Sequence, residues 1–186
     1  MGTCGAFLDG GYIDKVMLHN HPDHRVDYQR LVAEMSAGHE LLRAYYYNCL
    51  PYQSNPPTEE ERARYASARR FTDALNRLPR FEVRLGQLAK GLDATGAVEF
   101  TQKRVDNMVG VDMALLAAKG RITHLCLFSG DSDFIPSVEA VKREGVIVTL
   151  WHGRFGTRCA PSRELYDLCD ERRELNRERV FQVRRT

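Results

Sequence analysis

Short apolar segments alternate with longer amphipathic segments along this chain, and that alternation restricts its fold more than any other feature. The apolar segments predict strands at residues 4–8, 41–50, 81–88, 124–128 and 146–151. The amphipathic segments predict helices at residues 27–37, 58–78, 105–118, 136–144 and 162–169. Strands separated by helices pair in parallel through right-handed crossovers, so the pattern predicts an α/β fold in which three layers surround a central, mainly parallel sheet.

Some boundaries of these elements carry a physical signal of their own. Asp27 is a typical helix N-cap, and Thr58 with Glu61 has the spacing of a capping box. Residues 81–88 alternate between apolar and polar side chains, which predicts a half-exposed strand near an edge of the sheet. Residues 90–96 predict a glycine-containing loop, and an exposed edge at residues 81–88 would offer a route to a homo-oligomer.

The chain length and composition restrict the class of protein. The 186 residues suit one domain, assigned to residues 1–169, followed by an arginine-rich helix or tail at residues 170–186. No apolar run approaches the roughly 20 residues of a membrane span, so no membrane partner is expected. Five cysteines without a CxxC pair indicate reduced thiols, and with no export signal the expected location is cytoplasmic. The net charge of +2 does not by itself indicate nucleic-acid binding.

Two of the predicted strands end in aspartate. Asp9 follows the first strand, and Asp131 and Asp133 follow the strand at residues 124–128. Open α/β sheets bind ligands beyond the carboxyl ends of their strands, where the strand order reverses. If the two strands are neighbours, three carboxylates meet there, and their mutual repulsion favours a bound cation. Oxygen ligands of this kind suit Mg²⁺ or Mn²⁺, although Asp131 and Asp133 are also ordinary turn and cap residues.

A further carboxylate lies in the first turn of the helix predicted at residues 105–118. Asp106 is a candidate for the same metal site, and its alternative role is a favourable interaction with the helix dipole. Asp112 lies six residues on, about 240° around the helix, and is therefore a secondary candidate that would either support the metal ligands or have a structural role. Lys103 and Arg104 would neutralise a phosphate beside the metal, or would simply be surface charge.

Three sequence blocks carry a resemblance to a known family. They are FLDGGY at residues 7–12, QKRVD through GVD at residues 102–112, and FSGDSDFIP at residues 128–136. These blocks resemble the signature blocks of NYN domains in the PIN-like nuclease superfamily, and the chain is most similar to the LabA-like branch. The similarity covers residues 7–151 in order, and the last block is the most specific.

The resemblance implies a Rossmann-like, PIN-type fold and a Mg²⁺- or Mn²⁺-dependent nuclease that acts on RNA. Asp9, Asp106, Asp131 and Asp133 would then be the catalytic metal ligands. Tyr12, Lys103, Arg104 and Ser129 would contact the substrate. Many NYN domains have Asn at the position of Tyr12, so a substrate-side polar contact is missing or altered in this chain. Many also have Gly at the position of Arg104, and neither change removes a carboxylate.

Two alternatives to a nuclease stay open. The first is an RNA-binding or interaction module of the same fold that does not cut its ligand. The second is a zinc hydrolase, because residues 19–24 match the HxHxDH pattern of metallo-β-lactamase-type enzymes. Against the zinc hydrolase, this segment follows no clear strand and the later ligand blocks of that family are missing. A surface loop that binds zinc adventitiously, or one that lines the nuclease cleft, explains the segment more simply.

Overall fold

The computed structural model describes residues 2–92 and 98–185, without the side chains of residues 89, 90, 92 and 98–103. Its strands are β1 (Thr3–Asp9), β2 (Glu40–Cys49), β3 (Phe81–Leu92), β4 (Val98–Lys103), β5 (His124–Phe128), β6 (Ile147–His152) and β7 (Glu171–Glu174). Its helices are α1 (Gly10–Asn20), α2 (Tyr28–Met35), α3 (Glu59–Asn76), α4 (Val105–Ala118), α5 (Ile135–Arg143), α6 (Arg163–Leu168) and α7 (Arg177–Val183). A short 3₁₀ turn, Ser132–Phe134, precedes α5. None of these helices is both long and apolar enough to cross a membrane.

The strands form one sheet in the order β4-β3-β2-β1-β5-β6-β7. Six of them, from β3 to β7 in that order, are parallel, and only β4 is antiparallel to its neighbour. The chain moves outward from β1 to β3 and then returns to place β5 on the other side of β1. The strand order therefore reverses between β1 and β5, and the predicted α/β fold with a mainly parallel sheet is confirmed.

Side chains alternate between the two faces of the sheet, as the pleat of a β-strand requires. In β1, Ala6 and Leu8 join the core beneath α1 and α2, whereas Phe7 joins the core beneath α4 and α5. In β2, Tyr46 and Tyr47 divide in the same way. Each face is thus covered by helices, which explains why the central strands are apolar on both sides.

Helix α1 was not predicted from the sequence. It begins with Gly10 and Gly11, which are poor helix formers, and this obscured the apolar spacing of Ile13 and Val16 behind them. The Asp9 side chain caps the helix by accepting a hydrogen bond from the Tyr12 amide, and burial of Ile13 and Val16 fixes it on the sheet.

The carboxyl-terminal part of β3 also differs from the prediction. Residues 90–92, expected to belong to a loop, extend β3, and β4 pairs antiparallel with this extension. The remainder of the expected loop, residues 93–96, lies outside the described residues. Residues 81–86 pair with β2, so the strand predicted near an edge is second from the end of the strand order.

The carboxyl-terminal segment contributes to the sheet and to the core. Residues 171–174, which the sequence placed in a separate helix or tail, form β7 and pair in parallel with β6. Helix α7 follows, and its Val180 and Val183 are buried in the same cluster as α2. The structure therefore differs from the expected boundary after residue 169, because the short, charged strand is held by backbone pairing that its side chains do not reveal.

Arg104 precedes α4 in an unusual backbone conformation. Its φ of 75° lies in the left-handed region, where any residue with a Cβ is strained and glycine is not. Glycine, which the family resemblance leads us to expect at this position, would adopt this conformation without strain. The chain thus accepts local strain at the start of the helix that carries Asp106.

We expect Arg104→Gly to raise the free energy of unfolding by about 0.5–1 kcal/mol, because relief of the left-handed strain outweighs the extra freedom of glycine in the unfolded chain. Urea denaturation measures this change. Lys119→Gly at the other end of α4 is the matched control, since Lys119 has an ordinary φ of −82°. The control should lose stability, and a loss of stability in both variants would contradict the strain at Arg104.

Candidate functional site

Three carboxylates from three different elements line one cleft, which we call the acidic cleft. Asp9 ends β1, Asp131 follows β5, and Asp106 lies in the first turn of α4. The cleft has a volume of about 640 Å³, and Lys15 of α1 and residues 160–162 complete its walls. It opens at the carboxyl ends of β1 and β5, where the strand order reverses, so it occupies the usual ligand position of an open α/β sheet.

Asp9 is the most constrained of these carboxylates. Its Oδ1 accepts a hydrogen bond from the Tyr12 amide (3.0 Å), and its Oδ2 accepts one from the Ser129 hydroxyl (2.9 Å). Burial raises the pKa of Asp9; the two hydrogen bonds oppose this rise, and repulsion from Asp106 and Asp131 adds to it. The folded protein therefore holds a carboxylate whose charge is disfavoured unless a cation is near.

Ser129 is fully buried, and it connects two of the acidic residues. Its hydroxyl donates to Asp9 and accepts a hydrogen bond from the Asp131 amide (3.3 Å). The sequence placed Ser129 in contact with substrate, but in the structure this hydroxyl is not accessible from the cleft. It positions Asp9 relative to Asp131 because a small hydroxyl residue fits directly between the two strand ends.

Asp133 does not line the acidic cleft that contains Asp9. The Asp131 Oδ1 accepts a hydrogen bond from the Asp133 amide (3.0 Å), which makes Asp131 the cap of the 3₁₀ turn. The Asp133 side chain lines a neighbouring cleft together with Asp106, so Asp106 lies between the two clefts. Burial raises the pKa of Asp106, and repulsion from Asp131 and Asp133 raises it further.

The carboxylates fit a divalent cation by their chemistry, although they do not form a closed cage. Among the described residues, no three His, Cys, Asp or Glu side chains converge closely enough to hold a metal directly. Mg²⁺ keeps several of its waters and is typically bound by only one or two carboxylates, so direct convergence of three is not required. The all-oxygen donor set and the mutual repulsion of Asp9, Asp106 and Asp131 both favour such a cation.

Tyr12 forms a wall of the acidic cleft, and its hydroxyl serves the fold. The hydroxyl donates to the Cys159 carbonyl (2.6 Å) and accepts from the Gly153 amide (3.1 Å), which ties residues 153–159 to α1. Burial raises its pKa to about 12. A Cβ on Gly130 would lie 2.5 Å from the Tyr12 ring, so glycine is required there. The ring remains available to the cleft, but the hydroxyl is already engaged by the backbone.

The other predicted residues lie at the margins of the acidic cleft or outside it. Asp112 accepts a hydrogen bond from the Tyr47 hydroxyl (2.7 Å) and pairs with Arg84 (3.2 Å), so it is engaged against β2 and β3. Arg104 is exposed at the start of α4, directly before the turn that carries Asp106. The side chain of Lys103 lies outside the described residues.

The segment at residues 19–24 lies at the opposite end of α1 from the acidic cleft. It lines a separate cavity of about 540 Å³ with Arg154 and Arg177, and His21 Nε2 lies 2.7 Å from the Leu175 carbonyl. No metal-binding group of three is found there among the described residues. The segment therefore does not line the acidic cleft, and its match to HxHxDH has no counterpart in a preformed zinc site.

The sequence did not indicate two residues near the acidic cleft, because helix α1 was not predicted. Lys15 lines the cleft and brings a cation beside the carboxylates. Asp14 lies close to Asp9, and its pKa rises to about 6 through burial and repulsion from Asp9, opposed by a hydrogen bond with Asn48. The spacing of Ile13 and Val16 was the signal that would have placed both residues on a helix.

Comparison with known proteins identifies the family. The family model described as the NYN domain matches residues 6–175, which is most of the chain. The chain belongs to the NYN domain family. This NYN domain is part of the PIN-like nuclease superfamily, so the resemblance seen in the three sequence blocks is confirmed at the level of the domain. Its place in the LabA-like branch stays a prediction.

The fold of this NYN domain is also found in a solved structure. The crystal structure of a protein of unknown function from Vibrio parahaemolyticus matches with a TM-score of 0.63 and 19% sequence identity. The match covers 99% of this chain and 96% of that one. At this identity the likeness shows the fold alone. No curated protein matched this chain.

We expect Tyr12→Phe to lower the free energy of unfolding by about 1–3 kcal/mol, because it leaves the Gly153 amide without its acceptor. Thermal or urea denaturation measures the loss. Tyr166→Phe is the matched control, since the Tyr166 hydroxyl makes no hydrogen bond with the described residues, and this variant should be nearly neutral. Equal stability of the two variants would show that the Tyr12 hydroxyl does not hold residues 153–159.

We expect Asp9→Asn to be more stable than the wild type at neutral pH. The Asp9 carboxyl has a pKa near 3.8 in the unfolded chain and a raised pKa in the folded protein. Because the folded protein holds this proton more tightly, the wild type loses stability as the pH rises from 3.8 through the pKa of the folded state. Asparagine loses no proton; its amide oxygen still accepts from the Tyr12 amide, and its NH₂ group donates to the Ser129 hydroxyl oxygen in place of the bond that Asp9 accepts. Urea denaturation across this pH range should show the difference shrinking towards pH 3.8. A difference that is independent of pH would contradict the raised pKa.

Proposed function

We propose that this NYN domain is a nuclease that hydrolyses phosphodiester bonds in single-stranded RNA with the help of Mg²⁺ or Mn²⁺. The observation that carries this proposal is the convergence of Asp9, Asp106 and Asp131, from three separate elements, on one cleft at the reversal of strand order. Carboxylates gathered in this way destabilise the folded chain in the absence of a cation. Membership of the PIN-like nuclease superfamily supports hydrolysis as the reaction, and the preference for RNA rests on the family resemblance.

Asp9, Asp106 and Asp131 are the residues that would hold the cation, and Asp133 would join from the neighbouring cleft. A bound Mg²⁺ or Mn²⁺ supplies positive charge at the scissile phosphate and lowers the pKa of a water. The chain itself fixes the orientation of the carboxylates. Ser129 and the Tyr12 amide hold both oxygens of Asp9, so its rotamer is set before any ligand arrives.

The cationic and aromatic walls of the acidic cleft suit a nucleic-acid strand. Lys15 lies in the cleft and offers an ammonium group to a non-bridging phosphate oxygen. Arg104 lies at the start of the helix that carries Asp106, where it would meet an adjacent phosphate. The Tyr12 ring presents a surface on which a base could stack. None of these contacts requires a protein nucleophile, because the attacking group is water.

One observation favours a second candidate, an RNA-binding module that does not cut. No three carboxylates among the described residues are close enough together to hold a single ion. If they cannot draw together around a cation, the same cleft and cations would still bind RNA. Binding without cleavage would identify this second function.

Cleavage of a labelled single-stranded RNA tests the proposal. We expect wild-type protein to cut it in Mg²⁺ or Mn²⁺ and not in EDTA. Asp9→Asn/Asp131→Asn should lower the rate about a hundredfold or more, since metal-assisted hydrolysis depends on several kcal/mol of charge stabilisation. A gel shift in EDTA shows whether the same variant still binds the RNA.

Two control variants make this experiment specific. Asp167→Asn removes an exposed carboxylate on α6, which pairs with Arg163, and should leave cleavage unchanged. His21→Ala should also leave the cleavage rate at saturating RNA unchanged. A complete loss of cleavage in this variant, together with wild-type activity only in Zn²⁺, would revive the zinc hydrolase. Full activity in Asp9→Asn/Asp131→Asn would remove the acidic cleft from the mechanism.

A further inference from the structure

The cavity lined by residues 19–24 and the acidic cleft lie at opposite ends of α1. Between them runs a seam, by which we mean the contact of α1 with the loop between β6 and α6. The loop between β6 and α6, residues 153–162, lies along α1 from one end to the other. Near the acidic cleft, the Tyr12 hydroxyl bonds to the backbone of Gly153 and Cys159. At the far end of α1, the Asn20 side chain accepts from the Arg154 amide (3.1 Å) and donates to the Thr157 hydroxyl (3.2 Å).

Side chains on one face of α1 follow this seam. Lys15 lines the acidic cleft, and His19, four residues further on, lines the second cavity. Residues four apart lie on the same face of a helix and are separated by about 6 Å along its axis. A strand bound at the carboxylates therefore reaches the second cavity within a few nucleotides.

Exposed guanidinium groups border the second cavity. Arg154 projects from the loop and Arg177 from the start of α7, and both side chains are exposed. Among the described residues, neither guanidinium forms an ion pair or a hydrogen bond. Two carboxylates, Asp23 and Glu174, line the same cavity, so its charge is balanced locally and its imidazoles add positive charge only when protonated.

The positive charge continues past this cavity. Asp23 and His24 also line a third, open cavity, whose other walls are Arg25, Arg184 and Arg185. Backbone hydrogen bonds hold the end of the described chain against this segment, from Asp27 to Val183 (2.8 Å) and from Arg185 to Arg25 (2.7 Å). Apart from the aspartates of the acidic cleft, the three cavities are lined by six cationic side chains and two carboxylates. The cationic side chains are Lys15, Arg25, Arg154, Arg177, Arg184 and Arg185, and the carboxylates are Asp23 and Glu174.

We infer that these three cavities form one binding track for single-stranded RNA, in which Arg154 and Arg177 bind phosphates a few nucleotides from the scissile bond. This inference rests on the proposed nuclease function, because the track begins at the acidic cleft. Unpaired guanidinium groups along a groove are the usual means of holding a strand without reading its sequence. The residues 19–24 then form part of the wall that binds the flanking RNA.

Binding of a fluorescein-labelled oligouridylate of about 16 nucleotides, a length that covers the longest single-strand footprints of small domains, tests the track. Fluorescence anisotropy in EDTA gives the dissociation constant without cleavage. For Arg154→Ala/Arg177→Ala we expect affinity to fall about tenfold, and the slope of log affinity against log salt to fall by about 1.4, or 0.7 for each lost phosphate contact. Arg69→Ala/Arg143→Ala, which removes two exposed guanidinium groups from α3 and α5, should bind as the wild type does.

The outcomes separate the track from the nuclease. Unchanged RNA affinity in Arg154→Ala/Arg177→Ala, or an equal loss in the control variant, would overturn the track. Displacement of the RNA by polyglutamate as effectively as by unlabelled RNA would also overturn it, in favour of an acidic peptide ligand. If the track variant binds RNA more weakly but the wild type never cuts RNA, the track stands and the proposed nuclease is wrong.

Discussion

The parallel pairing of β1 with β5 is the constraint on which the site depends. Leu8 lies opposite Phe128 in the register, so the next residues of the two strands, Asp9 and Ser129, emerge side by side. Their hydrogen bond joins the ends of two strands, at residues that are 120 positions apart in sequence. If either strand shifted its register by one residue, the Asp9 side chain would point to the other face of the sheet and would be separated from Asp131, because side chains alternate between the two faces. The buried apolar faces of both strands prevent that shift.

The Asp9 side chain has two opposite effects on the stability of the folded chain. As the N-cap of α1 it stabilises the helix, and as a buried carboxylate beside Asp106 and Asp131 it destabilises the folded chain. The two contributions come from the same side chain and cannot be separated by moving it. Ser or Asn would cap the helix equally well without the charge. The retention of a carboxylate is understandable if a cation relieves the repulsion, and that is the condition that the proposed nuclease meets.

The distribution of charge around α1 follows the same logic on a larger scale. The amino-terminal end of the helix lies at the acidic cleft, and its carboxyl-terminal end lies among histidines and exposed arginines. A net charge of only +2 conceals this separation, because the acidic and basic side chains cancel in the total. Cations along the path would attract phosphates, while the carboxylates at its start would repel them until a divalent cation is bound. Binding and hydrolysis would then depend on different parts of one groove.

The sequence by itself determined most of the elements and the chemistry of the acidic residues. The strands at β1, β5 and β6, the capping box of α3 and the helical position of Asp106 all follow from local patterns, which depend on neighbouring residues alone. Four features were decided only by the tertiary structure. Helix α1 is held by burial of Ile13 and Val16 despite its two initial glycines, and β7 is a charged strand held by pairing with β6. Asp9, Asp106 and Asp131 line one cleft whereas Asp133 lines the next, and Ser129 is buried. Both features depend on the directions of side chains at the strand ends. Long-range packing sets those directions, and sequence spacing does not.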